Sequence, residues 1–92
     1  MTKLEQLKID LQNEYDKYNT LYRTLTNQKD MIDGCLNRIA ISDDEQEVER
    51  YYNALINNSI KEYKDTARKT HQQWLAYDKI FNQYVKEKNN ND

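Results

Sequence analysis

Few residues in this sequence could carry out chemistry, and the two strongest candidates are its single cysteine, Cys35, and its single histidine, His71. A cysteine and a histidine within hydrogen-bonding distance could act as a nucleophile and its base. One cysteine rules out an intramolecular disulfide and a zinc site built from several thiolates. No carboxylate lies three or four residues from His71 to join it as a metal ligand. We therefore expect His71 on the surface, and no metal or cofactor.

Pairs of carboxylates spaced four residues apart could in principle act as an acid and a base. They occur in a short acidic run, where Asp43 pairs with Glu47 and Glu45 pairs with Glu49; four of its residues, Asp43, Asp44, Glu45 and Glu47, are called the acidic patch. General acid–base chemistry needs a concave pocket that shifts a pKa, and the surface of a helix does not supply one. We expect a solvated helix start here, with a docking site for a basic partner as the alternative. The sequence also lacks a P-loop, an H-E-x-x-H motif and an EF-hand loop, so we predict that the protein is not an enzyme.

The composition favours a few long helices. The 92 residues include no proline and one glycine, so the usual turn residues are nearly absent. The formal net charge is −2, which makes nucleic acid an unfavourable partner. A basic cluster at Lys61, Lys64, Arg68 and Lys69 is interleaved with acidic residues, as in a salt-bridged solvated face. No apolar run long enough for a membrane span and no secretory signal is visible, so we expect a cytoplasmic protein and no membrane partner.

Apolar residues in the first half of the chain repeat every seven residues. One row, the a positions of a heptad, consists of Leu4, Leu11, Tyr18, Leu25, Ile32 and Ile39. The second row, the d positions, consists of Leu7, Glu14, Leu21, Gln28 and Cys35. Two such rows form a continuous packing stripe along one helix, which we call the seam.

The second half repeats the pattern in a different frame. We predict one row at Ile60, Ala67, Trp74 and Phe81. We predict the other at Ile56, Tyr63, Thr70, Tyr77 and Tyr84. Upstream, Val48, Tyr52 and Ile56 are each four residues apart, a slip that should rotate the stripe slightly.

The connection between the halves contains Ser42, followed three residues later by Glu45, which predicts a capping box at a helix start. We predict one helical-hairpin domain over residues 1–92, with helices at about 3–40 and 43–88, a turn at 41–43 and a disordered tail at 89–92. The short connection makes the helices antiparallel, with paired residue numbers summing to about 88. In that register Cys35 lies far from His71, which argues against a catalytic pair.

The predicted fold class is therefore all-α, a long coiled-coil-like antiparallel hairpin. Its apolar stripe is wider than a two-helix seam needs. The simplest cover is a homodimer that forms a four-helix bundle, and the alternative is a different protein partner. We predict partner binding by side chains outside the seam, namely Tyr15, Tyr22, Leu36, Tyr51, Tyr52 and Leu55.

These features predict a protein-interaction module, such as a small phage or mobile-element accessory protein that inhibits or adapts a larger host protein. A self-assembling coiled-coil scaffold is the first alternative, and a DNA-binding dimer is a weaker one. A secreted helical hairpin of the type VII class is disfavoured. The turn reads Ile41-Ser42-Asp43-Asp44 instead of Trp-x-Gly, and no tyrosine is followed four residues later by an acid.

Overall fold

The computed structural model describes residues 1–91, and all of its elements are helical. Helix α1 spans Lys3–Ile41, α2 spans Glu45–Ala54, a π-helical segment spans Leu55–Ser59, and α3 spans Ile60–Asn91. Backbone angles stay helical at Ala54 and Ile60, so the last three elements follow one another without a turn. The all-α prediction is confirmed, and α1 continues through Gly34 as its seam pattern required.

The described chain divides into two compact units. Unit 1 combines Met1–Tyr22 with the described residues from Lys69 onward, and unit 2 is Arg23–Arg68. Each unit is a pair of helical segments, to which α1 contributes one segment and the second half of the chain the other.

In unit 1 the two segments are antiparallel. Lys3 Nζ lies 3.6 Å from Glu87 Oε2, whereas further along α1 the side-chain amide of Gln73 donates to the backbone oxygen of Glu14 at 3.0 Å. Residue numbers therefore rise on α1 as they fall on α3. In these two pairs they sum to 90 and 87, which agrees with the predicted register.

In unit 2 the chain reverses at residues 42–44, between α1 and α2. Close to the reversal, Arg38 Nη1 donates to Tyr51 Oη at 3.3 Å, and these numbers sum to 89. Both units thus fit the hairpin register that the heptads predicted, because antiparallel seams keep a constant sum along their length.

The predicted seam of α1 is confirmed throughout. Every a and d position from Leu4 to Ile39 is buried or half-buried. Only Asp10 and Asn19 among the remaining α1 residues are also shielded to that degree. The polar seam residues Glu14 and Gln28 therefore face the second helical segment of their units, as their heptad positions require.

In α3, one row of the predicted seam is correct, whereas the other is correct at Ile60 and Ala67, which are half-buried, and is displaced by one residue from Trp74 onward. Tyr63, Thr70, Tyr77 and Tyr84 are buried or half-buried, as predicted. Trp74 and Phe81 are 46% and 42% exposed, so their assignment to the seam is wrong. Their places are taken by the preceding residues, which form the row Thr66, Gln73, Ile80 and Glu87.

The π-helical segment explains how two seam frames join. Shielded residues recur at Val48 and Tyr51 before the segment, at Leu55 where the segment begins, and at Tyr63 and onward after it. Leu55 and Tyr63 are eight residues apart, one more than a heptad allows. The N–H of Ile60 donates to the carbonyl of Leu55, an i→i−5 bond that absorbs the extra residue in a single wide turn.

Because of this wide turn, the predicted positions of two neighbouring residues are wrong. Leu55 was expected outside the seam and is the most shielded apolar residue described, at 4% exposure. Ile56 was expected in the seam and is 45% exposed. The slip between Val48 and Ile56 was visible in the sequence, but the seam follows the frame of Tyr51 and Leu55 instead.

The helix termini differ from the predicted ones by a few residues. The predicted capping box of Ser42 and Glu45 is wrong, because Asp44 is the N-cap and its carboxylate accepts from the N–H of Gln46 at 3.0 Å. Ser42 instead accepts from the N–H of Asp44 at 3.2 Å, which tightens the turn. The helix also continues to Asn91, so the predicted disordered tail is wrong for residues 89–91, and residue 92 lies outside the described residues.

The carboxamide oxygen of Gln28 is buried without a hydrogen-bond partner among the described residues. An unpaired buried polar atom costs about 1–3 kcal/mol. Gln28→Leu removes that atom and restores an apolar seam position. We expect the free energy of unfolding to rise by about 1–2 kcal/mol in chemical denaturation. A loss of stability would show that Gln28 has a partner.

Leu55 and Ile56 provide a matched pair for testing the corrected frame. Leu55→Ala should destabilise the protein by about 2–5 kcal/mol, because it removes a buried side chain from the seam. Ile56→Ala should change stability by less than about 1 kcal/mol, because its side chain is half in water. Thermal unfolding followed by circular dichroism measures both. Equal effects, or a larger effect at Ile56, would contradict the position of the wide turn.

Candidate functional site

The most distinctive surface of the molecule is a chain of contacting aromatic rings in unit 1, of which some pairs are stacked and others tilted. We call it the aromatic flank, and it consists of Tyr15, Tyr18, Tyr22, Trp74, Tyr77 and Phe81. Tyr18 contacts Tyr22 and Trp74, with ring centroids 6.1 and 5.7 Å apart. Trp74 continues to Tyr77 at 5.6 Å, and Tyr77 to Phe81 at 6.2 Å. Tyr15 joins at Tyr77, also at 6.2 Å.

The heptad positions explain why the rings gather on one side. Tyr15 and Tyr22 occupy e positions of α1, and Trp74 and Phe81 occupy the equivalent positions of α3 once the corrected seam is used. In an antiparallel helix pair the e positions of both helices border the same side of the seam. Tyr18 and Tyr77 are seam residues at the edge of that side, so their rings bridge the two rows.

The aromatic flank is only partly covered by its own chain. Tyr15, Tyr22, Trp74 and Phe81 are 42–52% exposed, whereas Tyr18 and Tyr77 are half-buried beneath them. Aromatic pairs at these separations stabilise one another, so the rings form an ordered surface. A large apolar surface that is ordered and exposed is typical of a binding site.

The other predicted partner-binding residues lie in unit 2, where the structure separates them into two groups. Leu36 and Tyr52 are 49% and 53% exposed and remain available for contact. Leu55 is buried, and Tyr51 is half-buried beneath two guanidinium groups. The Tyr51 ring centroid lies 5.7 Å from Cζ of Arg38 and 5.9 Å from Cζ of Arg50, a cation–π arrangement. Tyr51 and Leu55 are therefore engaged within unit 2.

Beside the aromatic flank, Glu14 lies at the centre of a hydrogen-bonded group. Its carboxylate accepts from the side-chain amide of Gln73 and from Lys17 Nζ, the latter at 3.1 Å. The hydrogen bond from Gln73, and then that from Lys17, lowers the pKa of Glu14 below its ordinary value. The predicted register, in which paired residue numbers sum to about 88, places Trp74 opposite Glu14. Gln73 takes that place because its amide can satisfy both the carboxylate and the backbone carbonyl of Glu14.

Two residues of the acidic patch, Asp44 and Glu47, form hydrogen bonds that stabilise the turn. The Asp44 carboxylate caps α2, and Glu47 Oε2 accepts from the Ser42 hydroxyl at 3.3 Å. Asp43 and Glu45 are exposed beside a shallow groove of about 310 Å³ that Val48 and Tyr52 also line. Asp44 thus caps α2, and Ser42 holds the turn that precedes it.

The two strongest candidates for chemistry in the sequence lie in different units. His71 is exposed in unit 1, as predicted, and Cys35 is half-buried in unit 2. Among residues 1–91 there is no group of three or more histidine, cysteine or acidic side chains that could hold a metal ion. In the basic cluster, Arg68 Nη2 pairs with Asp65 at 2.9 Å. No helix in the described part of the chain has the length and apolarity needed to cross a bilayer.

Comparisons of the chain with protein-family models, with curated proteins and with solved structures found no match. The aromatic flank is therefore interpreted from its own geometry. The sequence pattern predicts Tyr15 and Tyr22 outside the seam but predicts Trp74 and Phe81 inside it. Gln73 could have indicated the correct frame from the sequence. Its carboxamide has two N–H donors for the polar seam residue Glu14, whereas the indole of Trp74 has one.

The lowered pKa of Glu14 predicts a specific acid sensitivity. Because the folded state favours the ionised carboxylate, its stabilisation is complete above the ordinary glutamate pKa of about 4.3 and is lost as the pH falls through the lower folded value. The stability advantage of the wild type over Glu14→Gln should therefore shrink between about pH 6 and pH 3. Urea unfolding at several pH values measures it, with Glu62→Gln, an exposed carboxylate of unit 2, as the control. A constant difference would exclude this role of Glu14.

Proposed function

We propose that this chain is a non-enzymatic protein-interaction module and that the aromatic flank of unit 1 is its binding surface. The observation that carries the proposal is the ordered row of six contacting rings, of which four are about half exposed. A module of this kind acts by covering or bridging other proteins. Its half-buried single thiol suits a reducing compartment such as the cytoplasm.

The chemistry of the flank supports binding to protein in particular. Tryptophan and tyrosine are the residues that most often dominate the energetics of protein interfaces, because they bury a large area with few rotatable bonds. Here the hydroxyls of Tyr15 and Tyr22 add polar groups at the edge of an apolar surface. Such rings can hydrogen bond to a partner while their faces are desolvated.

The preorganisation of the flank also favours binding. Rings that already contact one another at 5.6–6.2 Å lose little side-chain freedom when a partner covers them. Ordering a flexible side chain at an interface costs about 0.5–1.5 kcal/mol, and a prestacked ring avoids part of that cost. An ordered apolar surface therefore retains more of its burial energy on association.

A second candidate function, a self-assembling scaffold, is favoured by a separate observation in unit 2. Leu36, Tyr52 and Ile56 are 45–53% exposed there. Two apolar surfaces on one chain allow association beyond a dimer. Sedimentation separates the two functions, because a scaffold gives species that continue to grow with concentration.

Trp74 and Leu75 provide a matched pair for testing the binding surface. Trp74→Ala removes the ring at the centre of the flank, whereas Leu75→Ala removes a side chain that is 53% exposed at the next position around the helix. We expect Trp74→Ala to weaken association at least about 30-fold, as for an interface residue worth about 2 kcal/mol. Leu75→Ala should have an effect of threefold or less. Circular dichroism should show that both variants remain helical.

Association is measured in two ways, by sedimentation of the purified protein and by capture of proteins from a bacterial lysate on immobilised variants. The proposal requires that at least one form of association be lost in Trp74→Ala and retained in Leu75→Ala. Equal association of the two variants, or the absence of any association by the wild type, would contradict it.

A further inference from the structure

We propose that the aromatic flank binds a second copy of the same chain, unit 1 against unit 1. The two-fold axis lies in the plane of the interface, perpendicular to the helices, at the level of Tyr15 and Trp74. The inference rests on the proposed function and names the partner of that surface. In this arrangement α1 packs against α1 of the other copy, α3 packs against α3, and each pair is antiparallel.

The exposed area of the flank fits the core of such a dimer. An aromatic side chain buries roughly 200 Å² when it is fully covered, so four half-exposed rings offer roughly 400 Å² per copy. A stable interface of standard size buries about 800 Å² per partner and has an apolar centre with a polar rim. The rings therefore supply the centre, and the polar residues around them supply the rim.

Charges along α3 are complementary about Trp74. His71 lies three residues before Trp74 and Asp78 lies four residues after it, both exposed and on the same side of the helix. A two-fold axis at Trp74 brings His71 of one copy beside Asp78 of the other, and it does so twice. An imidazole N–H can donate to a carboxylate whether or not the ring is charged.

Residues along α1 show the same symmetry about Tyr15. Lys8 and Tyr22 each lie seven residues from Tyr15, at equivalent heptad positions. The same axis places the Lys8 ammonium of one copy by the half-exposed Tyr22 ring of the other, a cation–π arrangement that also occurs twice. One axis serves both helices because Tyr15 and Trp74 lie at nearly the same level, directly after the hydrogen-bonded pair of Glu14 and Gln73.

An axis parallel to the helices is less favourable. It would place α1 of one copy against α3 of the other, with residues of equal level facing each other. His71 would then meet the neutral Asn19, and Asp78 would lie between Gln12 and Lys8. That dimer pairs Asp78 with Lys8 but leaves His71 opposite an uncharged residue, whereas the perpendicular axis pairs both His71 and Asp78.

A charge-swap experiment tests the pairing. Asp78→Lys places a lysine opposite His71, and His71→Asp places two aspartates opposite each other, so each variant alone should dimerise about tenfold more weakly than the wild type. An equimolar mixture restores an opposite-charge pair at both sites. Its heterodimer should associate within about threefold of the wild type, as measured by sedimentation equilibrium with one variant fluorescently labelled.

Each outcome is decisive for the inference. Weakened single variants and a restored mixture would support the perpendicular axis. A wild-type dimer that is unaffected by either swap, or swaps that are not restored by mixing, would overturn it. A monomeric wild type would also overturn it, and would leave the proposed function intact if lysate proteins are captured by the wild type and lost in Trp74→Ala. A wild-type dimer insensitive to Trp74→Ala, with no such capture, would overturn both.

Discussion

The structure depends on one geometric constraint, which is that two helices can shield each other along one stripe only. The seam residues of each unit are buried or half-buried, but none of the described side chains is fully enclosed. Apolar side chains beyond the seam have no second layer to cover them. The aromatic flank is the consequence, since its rings occupy the positions next to the seam and can be covered only from outside the hairpin.

The π-helical segment decides which residues lie next to the seam. By absorbing one extra residue between Leu55 and Tyr63, it changes the frame in which α3 meets α1. In that frame Gln73 and Ile80 face α1, and Trp74 and Phe81 turn to the surface. An insertion of this kind is common at functional sites because it re-aims the side chains that follow it.

The sequence was sufficient for the seam of α1, the reversal near Ser42 and the register, because each depends on a periodic pattern or on chain connectivity. It was insufficient for α3, where two frames share Tyr63, Thr70 and Tyr77. Hydrophobicity favoured the frame with Trp74 and Phe81. Hydrogen bonding of Glu14 by Gln73, together with the contact between the rings of Tyr18 and Trp74, accompanies the other frame. Those interactions are between helices, so a count of apolar residues along one helix did not include them.

The central claim, that the aromatic flank is buried by a protein partner, can be tested most directly through Trp74, the only tryptophan in the chain. Acrylamide quenching of its fluorescence measures how exposed the indole ring is to solvent. If a protein partner buries the flank, quenching should fall severalfold, and emission should move to shorter wavelength, when the protein passes from its dissociated to its associated form. An indole that stays equally accessible in the associated protein would show that the flank is not the binding surface.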